Sequence, residues 1–322
     1  MKPETRRRLW TGLRVVLVLG VVAGCIGFSR TIGWERVRSA LATASWSLVG
    51  AAAALNLVGM WWRSSRLSVI LVEGGAPHIP TQRSVRYNLA ASAANNLLPA
   101  RAGEVVRPLL LKLREGVPFA AGVSASIVEK VLDVVAMLLV SAPFPLLLPG
   151  LPSSVAYPFV IFGGAALAAL VLLWLAPRIE RGSPKSDLVK QLVGAARLLR
   201  RPGAFAHAMG LSLLVWIADA ITVLLVLRAV GVMVPAAGSL LVLLILNAAI
   251  ALPSTPGHVG VFEGGAVGAL AVLHVEREPA LAFALLYHAM QLVPVTLLGL
   301  PDLLSASAAR RREEAERQSA SN

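Results

Sequence analysis

Residues 134–176, "VVAMLLVSAPFPLLLPGLPSSVAYPFVIFGGAALAALVLLWLA", contain no charged side chain. A helix needs about 20 mostly apolar residues to cross the hydrocarbon core of a bilayer, so this stretch is long enough for two crossings. The proline-rich segment 142–154 in its middle predicts the turn between them. The stretch therefore predicts two membrane-spanning helices.

The rest of the chain has the same character. Of its 322 residues, 57% are hydrophobic and only 15% are charged, which is typical of an integral membrane protein. Apolar runs that predict spanning helices lie near 13–29, 46–62, 118–141, 155–176, 206–228, 237–253 and 279–301. We therefore predict an all-α, polytopic membrane helical bundle of about eight spans, with one or two re-entrant or broken helices.

The basic residues indicate a membrane surface rather than nucleic acid as the partner. The net charge is +13, but the lysines and arginines cluster at the ends of apolar runs, where positive-inside bias and anionic lipid account for them. Such clusters occur at the N-terminus, in the linker 178–203 and in the tail 310–322, all of which we expect on the cytoplasmic side of the cytoplasmic membrane. The linker also has the amphipathic pattern of a helix lying on that surface.

Two stretches, 84–114 and 254–274, are apolar but interrupted by proline, glycine and charge. In lipid every backbone polar group needs a partner, so an interruption at membrane depth persists only where it faces protein or a water-filled cavity. We expect 84–114 to form a re-entrant hairpin and 254–274 a broken helix. Each contains or directly follows a Leu-Pro pair, and each has a glycine-containing turn and a glutamate that opens a new apolar helix, which suggests an internal repeat of the kind that forms transporter substrate sites.

The residues of these interruptions suit a phosphate group. Arg101 and Arg107 offer forked donors, and the backbone amides after Gly103 or Gly257 offer the positive end of a helix. Glu104 and Glu263 would then orient the arginines or carry a proton. Lys112 and Arg114 have the simpler interpretation of anchors at the cytoplasmic interface.

Three acidic residues lie inside apolar helices, where an ionisable group is costly and normally paired. Glu129 and Asp133 share a helix face with Lys130 beside them, and they could pair with Arg101 or Arg107. Whether they form a structural ion pair or part of a substrate pathway stays open. Asp219 lies in mid-span, where it is either paired or protonated. His288, like Asn247 and Gln291, is expected to bond between helices.

The motifs together resemble the lysylphosphatidylglycerol synthase transmembrane-region family, a group of flippase-like membrane proteins. Asn96, Leu98, Pro99, Arg101, Gly103, Glu104 and Arg107 match the family's first element, and Glu129, Lys130 and Asp133 resemble its second. Pro253, Pro256, Gly257, Gly260 and Glu263 match the third. His258 replaces a family glycine, which puts the backbone of that turn in doubt because histidine resists positive φ.

The resemblance covers about residues 10–305 and implies a bundle that moves lipids between leaflets, without the cytosolic aminoacyl-transferase domain of bifunctional members. We expect residues 1–309 to form a single transmembrane domain and 310–322 a basic cytoplasmic tail. The expected substrate-binding residues are Arg101, Gly103, Glu104, Arg107, Pro256, Gly257, Gly260 and Glu263, and the expected supporting residues are Asn96, Glu129, Lys130, Asp133 and Asp219.

The leading hypothesis is a translocase for a phospholipid or lipid-linked phosphate, its partners being anionic or phosphate-bearing membrane lipids. The alternative is an accessory subunit of a separate synthase or glycosyltransferase. An intramembrane lipid-modifying enzyme is the third hypothesis, although the chain has neither H-E-x-x-H nor G-x-S-x-G and its five histidines are scattered. We therefore expect no metal, no cofactor and no catalytic residue.

Overall fold

A computed structural model describes residues 33–98, 101–141, 156–179, 187–251 and 255–321. All of the regular secondary structure in these ranges is helical. The helices are α1 (Trp34–Ala42), α2 (Trp46–Glu73), α3 (Thr81–Leu97), α4 (Gly103–Glu115), α5 (Phe119–Ser141), α6 (Ala156–Ile179), α7 (Asp187–Ala196), α8 (Pro202–Ala229), α9 (Ala236–Ala251), α10 (Val261–Val272) and α11 (Arg277–Ser321), with short 3-10 turns at Arg197–Arg200 and Pro256–His258. The predicted all-α class is confirmed.

The lengths of the helices and the apolar side chains on their outer surfaces are typical of a membrane protein. Within the described ranges, Pro202–Ala229 and Arg277–Ser305 are long and apolar enough to cross a bilayer, and α1 with α2 adds a third span if this pair, bent by 80°, is counted as one. Large apolar side chains lie on the outside of α6 and α11, among them Ile161, Leu167, Leu172, Leu297 and Leu298. The total of about eight spans and the cytoplasmic position of the termini stay predictions. The first apolar run at 13–29 and the turn at 142–154 lie outside the described residues.

Several helix boundaries differ from those expected. The run 46–62 continues as α2 to Glu73, so Arg63 and Arg66 lie inside the helix and not beyond its end. The linker 178–203 contains α7, which packs against α5 and α6 and has Gly194, Ala195 and Ala196 buried. The helical backbone of α11 continues through the tail up to Ser321.

The interrupted stretch 84–114 forms two helices, α3 and α4, which pack against each other. Gly103 begins α4 at a point where a β-carbon would lie 2.0 Å from the Ala91 carbonyl oxygen. Its amide donates a hydrogen bond to Asn95 Oδ1 at 2.8 Å. On another side of α3, Gly299 of α11 makes an equally close approach, 2.1 Å from the Leu89 carbonyl oxygen for an added β-carbon. Two glycines therefore hold α3 between α4 and α11.

Gly103→Ala should lower the free energy of unfolding by about 1–3 kcal/mol, because the new methyl group forces α4 away from the α3 backbone. The measurement is denaturant unfolding of the purified protein in detergent. Gly50→Ala in α2 is the matched control, since nothing lies within 4 Å of its added β-carbon. A Gly103→Ala protein as stable as this control would contradict the close packing of α3 and α4.

The two largest of the three apolar clusters among the described residues share helices α2 and α5. One contains Leu67 of α2 and Leu132 of α5, and the other contains Ala52 and Ala136 of the same two helices. Asp133 of α5 lies between Leu132 and Ala136 in sequence, at the division between the clusters. The charged side chains in the middle of α2 and α5 thus lie where the two apolar clusters leave the interior of the bundle unfilled.

Candidate functional site

A cavity of about 430 Å³ lies within the bundle, bounded by residues of α2, α3, α4, α5, α8, α9, α10, α11 and the 3-10 turn at Pro256–His258. Its wall includes four basic side chains, Arg63, Arg66, Arg107 and Lys130, and four acidic ones, Glu104, Glu129, Asp133 and Asp219. Asn88, Asn95, Asn96, Asn247 and Gln291 add amide groups. The wall is therefore polar and its formal charges balance.

Arg66 is the most deeply buried cation of this wall, with 3% of its side chain exposed. It binds Asp133 through two donors, the Nη2–Oδ2 bond measuring 3.1 Å, and it donates to Ser212 Oγ at 2.6 Å. Glu129 lies 3.9 Å from its Nη2. A single arginine thus connects α2 with both carboxylates of α5 and with α8.

Arg107 of α4 reaches the same carboxylate pair from the other direction. Its Nη2 donates to Glu129 Oε2 at 2.5 Å and to Ser126 Oγ at 2.6 Å, and its Nη1 donates to Asn88 Oδ1 at 2.9 Å. The bonds connect α4 with α3 and α5. The guanidinium is therefore fixed in orientation while it still lines the cavity.

Asp219, the mid-span carboxylate of α8, also has a basic partner. Arg63 Nη2 of α2 donates to its Oδ2 at 2.5 Å. Of the two states considered for Asp219 from the sequence, the structure shows the paired one. Arg63 and Arg66 are three residues apart, so one face of α2 provides partners for both α5 and α8.

Lys130 and Glu104 form the most open ion pair of the wall. Their Nζ–Oε1 distance is 2.6 Å, and 53% and 38% of the two side chains are exposed. The pair joins α5 to the first turn of α4. It is the pair that a ligand entering the cavity can separate with the least desolvation.

The second interruption is a tight turn fixed by side chains of α10 and α11. Gly257, His258 and Gly260 all have positive φ, at +64°, +58° and +86°. The histidine that departs from the family pattern thus adopts the left-handed conformation that glycine accepts more readily. The Gly260 amide donates to Glu263 Oε2 at 2.6 Å, and His288 contacts both Glu263 Oε1, at 2.6 Å, and the Gly257 carbonyl, at 2.7 Å.

The two interruptions meet in space. Arg101, which follows the first one and has φ +53°, donates to the carbonyl oxygen of Ile250 near the end of α9, at 2.6 Å. The Asn96 carbonyl oxygen would lie 3.4 Å from a β-carbon on Gly257. The Asn96 side chain bonds to Thr296 of α11 at 2.8 Å. The interruptions thus form one region beside the cavity, while the internal repeat itself stays a prediction.

Most of the residues expected from the sequence come together here. The cavity is lined by Asn96, Gly103, Glu104, Arg107, Glu129, Lys130, Asp133, Asp219 and Gly257. Arg101 does not line it, although it was expected to bind substrate; its exposed side chain connects the two interruptions instead. Pro256, Gly260 and Glu263 form the turn behind the wall.

Two expected contacts need correction. Glu104 binds Lys130 and Glu263 binds His288, so neither carboxylate orients an arginine. The backbone amides that follow Gly103 and Gly257 already donate to backbone carbonyl oxygens, from Glu104 to Arg101 at 3.0 Å and from His258 to Thr255 at 2.9 Å. The amides of Gly103 and Gly260 donate to the side chains of Asn95 and Glu263. Binding of a phosphate to these amides would require their present partners to move away.

The sequence did not identify Arg63 and Arg66 as site residues. For His288 it predicted only a hydrogen bond between helices. The available signal was the spacing of the two arginines on one face of α2, matched by carboxylates in two other apolar helices. Among the residues that the structure describes, no group of three or more His, Cys, Asp or Glu side chains could hold a metal ion.

Comparisons with known proteins identify the family of this chain. Residues 13–299 match the family described as the lysylphosphatidylglycerol synthase TM region. A curated relative, glycosyltransferase AglD of Haloferax volcanii, is 27% identical over 345 aligned residues, which cover 91% of this chain and 54% of the relative. The chain thus spans about half the length of that relative, and no solved structure matches. With the match extending over most of the sequence, the chain belongs to the lysylphosphatidylglycerol synthase transmembrane-region family.

Proposed function

We propose that this protein is a lipid translocase, which moves a phosphate-bearing headgroup between the leaflets of the cytoplasmic membrane through the cavity between the two interruptions. The observation that carries the proposal is the polar cavity itself, lined by four basic and four acidic side chains inside an apolar bundle. Charges are expensive at membrane depth and are retained mainly where a substrate or an ion passes. Membership of the family links the chain to lipid or glycosyl transfer.

The dimensions of the cavity suit a headgroup. Its volume of about 430 Å³ lies within the roughly 300–1,000 Å³ of small-molecule sites. The acyl chains would stay outside, against the apolar surfaces of the helices. A headgroup passing through this space exchanges water for amide, hydroxyl and charged partners, which lowers the barrier that bare hydrocarbon imposes on it.

Binding of a phosphate would proceed by exchange of ion pairs. Every basic side chain of the wall already has a carboxylate partner within 4 Å, so an incoming phosphate has to replace one of them. Lys130 is the most exposed of these cations, and the guanidinium group of Arg107 lies nearby on the neighbouring helix α4. Release of Glu104 would let Lys130 and Arg107 bind the phosphate, and the exposed Glu104 carboxylate would then be solvated by water.

A reconstituted transport assay tests the proposal. The purified protein is placed in phosphatidylcholine vesicles that contain a trace of phosphatidylglycerol labelled on its acyl chain, and an impermeant reductant added outside reports movement between leaflets. The wild-type protein should equilibrate the label faster than protein-free vesicles do. Arg107→Lys keeps a charge beside Glu129 but removes the fork, and it should slow movement by about tenfold or more.

Two further variants localise the effect. Arg101→Ala should slow movement less than Arg107→Lys does, because Arg101 bonds to the Ile250 carbonyl and does not line the cavity. Arg83→Ala, which removes an exposed ion pair with Glu115, serves as the control and should leave the rate unchanged. Equal rates for wild-type and empty vesicles would refute the translocase, and an unaffected Arg107→Lys would refute the role of this cavity.

The second candidate is an accessory membrane subunit of a separate glycosyl-transfer or lipid-modifying enzyme. The observation that favours it is the relative named a glycosyltransferase, about half of whose length this chain matches. A stoichiometric enzyme that co-purifies from the native membrane would support it. A purified chain that moves lipid without any partner would favour the translocase instead.

A further inference from the structure

Glu263 and His288 form a polar pair at the cavity wall. This pair has no part in the proposed exchange of ion pairs. Their side chains are 14% and 11% exposed. Phe262 stacks on the imidazole with ring centroids 4.3 Å apart and an interplanar angle of 19°, which holds the ring in place. His288 itself lines the cavity, as does Gly257 on the other side of the ring.

The contacts of His288 limit the positions that its protons can occupy. A carbonyl oxygen can only accept, so the 2.7 Å contact with Gly257 requires a hydrogen on Nε2. The 2.6 Å contact between Nδ1 and Glu263 Oε1 then requires another proton between those two atoms. The pair is therefore an imidazolium beside a carboxylate, or a neutral imidazole beside a carboxylic acid. Either way it holds one proton that it can release.

Release of that proton would break one of the two contacts. A neutral ring has a single N–H, which can bond to the Gly257 carbonyl or to the Glu263 carboxylate but not to both. Glu263 binds the Gly260 amide and His288 binds the Gly257 carbonyl, so the pair holds both ends of the turn. This turn contains three residues with positive φ, a conformation that needs support from its surroundings. Loss of the proton thus loosens the wall at Gly257.

Other charged and titratable groups face this region from several elements. His258 of the same turn interacts with both Arg101 and His288. Tyr287, adjacent on α11, interacts with Arg63 and Asp219 of α2 and α8. The residues that α3 and α9 contribute to the cavity wall are all uncharged, and their amide side chains are Asn88, Asn95, Asn96 and Asn247. The remaining charges of the wall are the ion pairs formed by Arg66, Arg107 and Lys130 with Asp133, Glu129 and Glu104.

We propose that the proton shared by Glu263 and His288 is the coupling ion of transport, taken up from one side of the membrane and released to the other as the turn at Gly257 closes and opens. The inference rests on the proposed function as a lipid translocase. No covalent bond changes; a single proton moves between water and the pair. Because the same turn touches Asn96 at the first interruption and lines the cavity, its protonation affects the space that the headgroup occupies.

The experiment uses the reconstituted wild-type protein with a pH gradient across the phosphatidylcholine vesicles. At steady state the labelled phosphatidylglycerol should be distributed unevenly between the leaflets, by up to about tenfold for a gradient of about one pH unit and one proton per lipid. Random orientation of the protein in the vesicles does not matter, because the gradient alone sets this equilibrium ratio. The uneven distribution should vanish when the gradient is collapsed with an ionophore.

Glu263→Gln removes the releasable proton while it supplies a permanent donor to His288 Nδ1 and an acceptor to the Gly260 amide. This variant should still move the label but distribute it evenly despite the gradient. His207→Gln, at an exposed position of α8 outside the cavity wall, should retain the uneven distribution.

The outcomes separate the two proposals. A wild-type protein that moves the label but leaves it evenly distributed under the gradient overturns the coupling and leaves the translocase standing. A gradient response that survives in Glu263→Gln overturns the assignment to this pair. A wild-type protein that moves no label at any pH overturns the translocase, and the coupling with it.

Discussion

Arg66→Met should lower the free energy of unfolding by about 3–5 kcal/mol, because it leaves the Asp133 carboxylate, only 23% exposed, without its cation. Arg66 is 3% exposed, binds Asp133 with two donors and also lies within 4 Å of Glu129. Glu129 keeps Arg107 as a partner, so most of the loss falls on Asp133. Denaturant unfolding in a mild detergent, followed by circular dichroism, measures the effect.

A double variant distinguishes lost charge compensation from lost packing. Arg66→Met combined with Asp133→Leu removes both charges and should recover much of the stability, since apolar residues of similar size often replace a buried ion pair without penalty. The single Asp133→Leu should also be unstable. A single Arg66→Met that costs less than about 1 kcal/mol would mean that the bundle admits enough water to solvate Asp133, and the buried network would then be wrong.

Those elements of the fold that depend on local composition were predictable. Apolar runs of sufficient length identified the helices that became α5, α6, α8, α9 and α11, and the proline and glycine residues located both interruptions. The sequence motifs identified Glu104 and Arg107 as expected substrate-binding residues and Glu129 and Asp133 as expected supporting residues, and all four line the cavity. Each of these features depends on residues that lie close together in the sequence. Such local patterns can be recognised from the sequence alone.

The pairing of charges between helices was not predictable from the sequence. Arg63 and Arg66 follow the segment "MWW" at residues 60–62, which resembles the aromatic end of a span, so they were not recognised as interior residues. Their partners Asp219 and Asp133 are more than 60 residues away in sequence, and only packing brings them together. The contact of Arg101 with the Ile250 carbonyl was unpredictable for a related reason, since the two residues are 149 positions apart in sequence.

Gly103 shows how one residue fits two interpretations. Its position before Glu104 suggested a helix N-terminus open to phosphate, whereas its amide bonds to Asn95 and its missing β-carbon makes room for Ala91. Sequence alone does not distinguish a glycine needed for ligand approach from one needed for helix packing. Here the packing role is visible, and we propose that the side chains that follow it on α4 bind the ligand.

The second large effect concerns Lys130, the cation from which the phosphate displaces a carboxylate in the proposed mechanism. Lys130→Glu places two carboxylates together and should slow lipid movement by about tenfold to a hundredfold, since a hydrogen bond to a charged group contributes about 1.5–3 kcal/mol. Lys130→Gln, which removes the charge without repulsion, should give a smaller loss in the same direction. Both are measured in the reconstituted vesicles, with unfolding in detergent as the check on folding.

Exchange of the two charges, by Glu104→Lys together with Lys130→Glu, tests the central claim most directly. The exchange restores the ion pair between α4 and α5 and the net charge of the cavity, so a purely structural pair would regain both stability and transport. We expect it to regain stability while lipid movement stays at least about tenfold below wild type, because the cation that receives the phosphate has moved from α5 to α4, and ligand groups need positions accurate to about 1 Å. Wild-type movement in the exchanged protein would contradict a phosphate-binding role for Lys130.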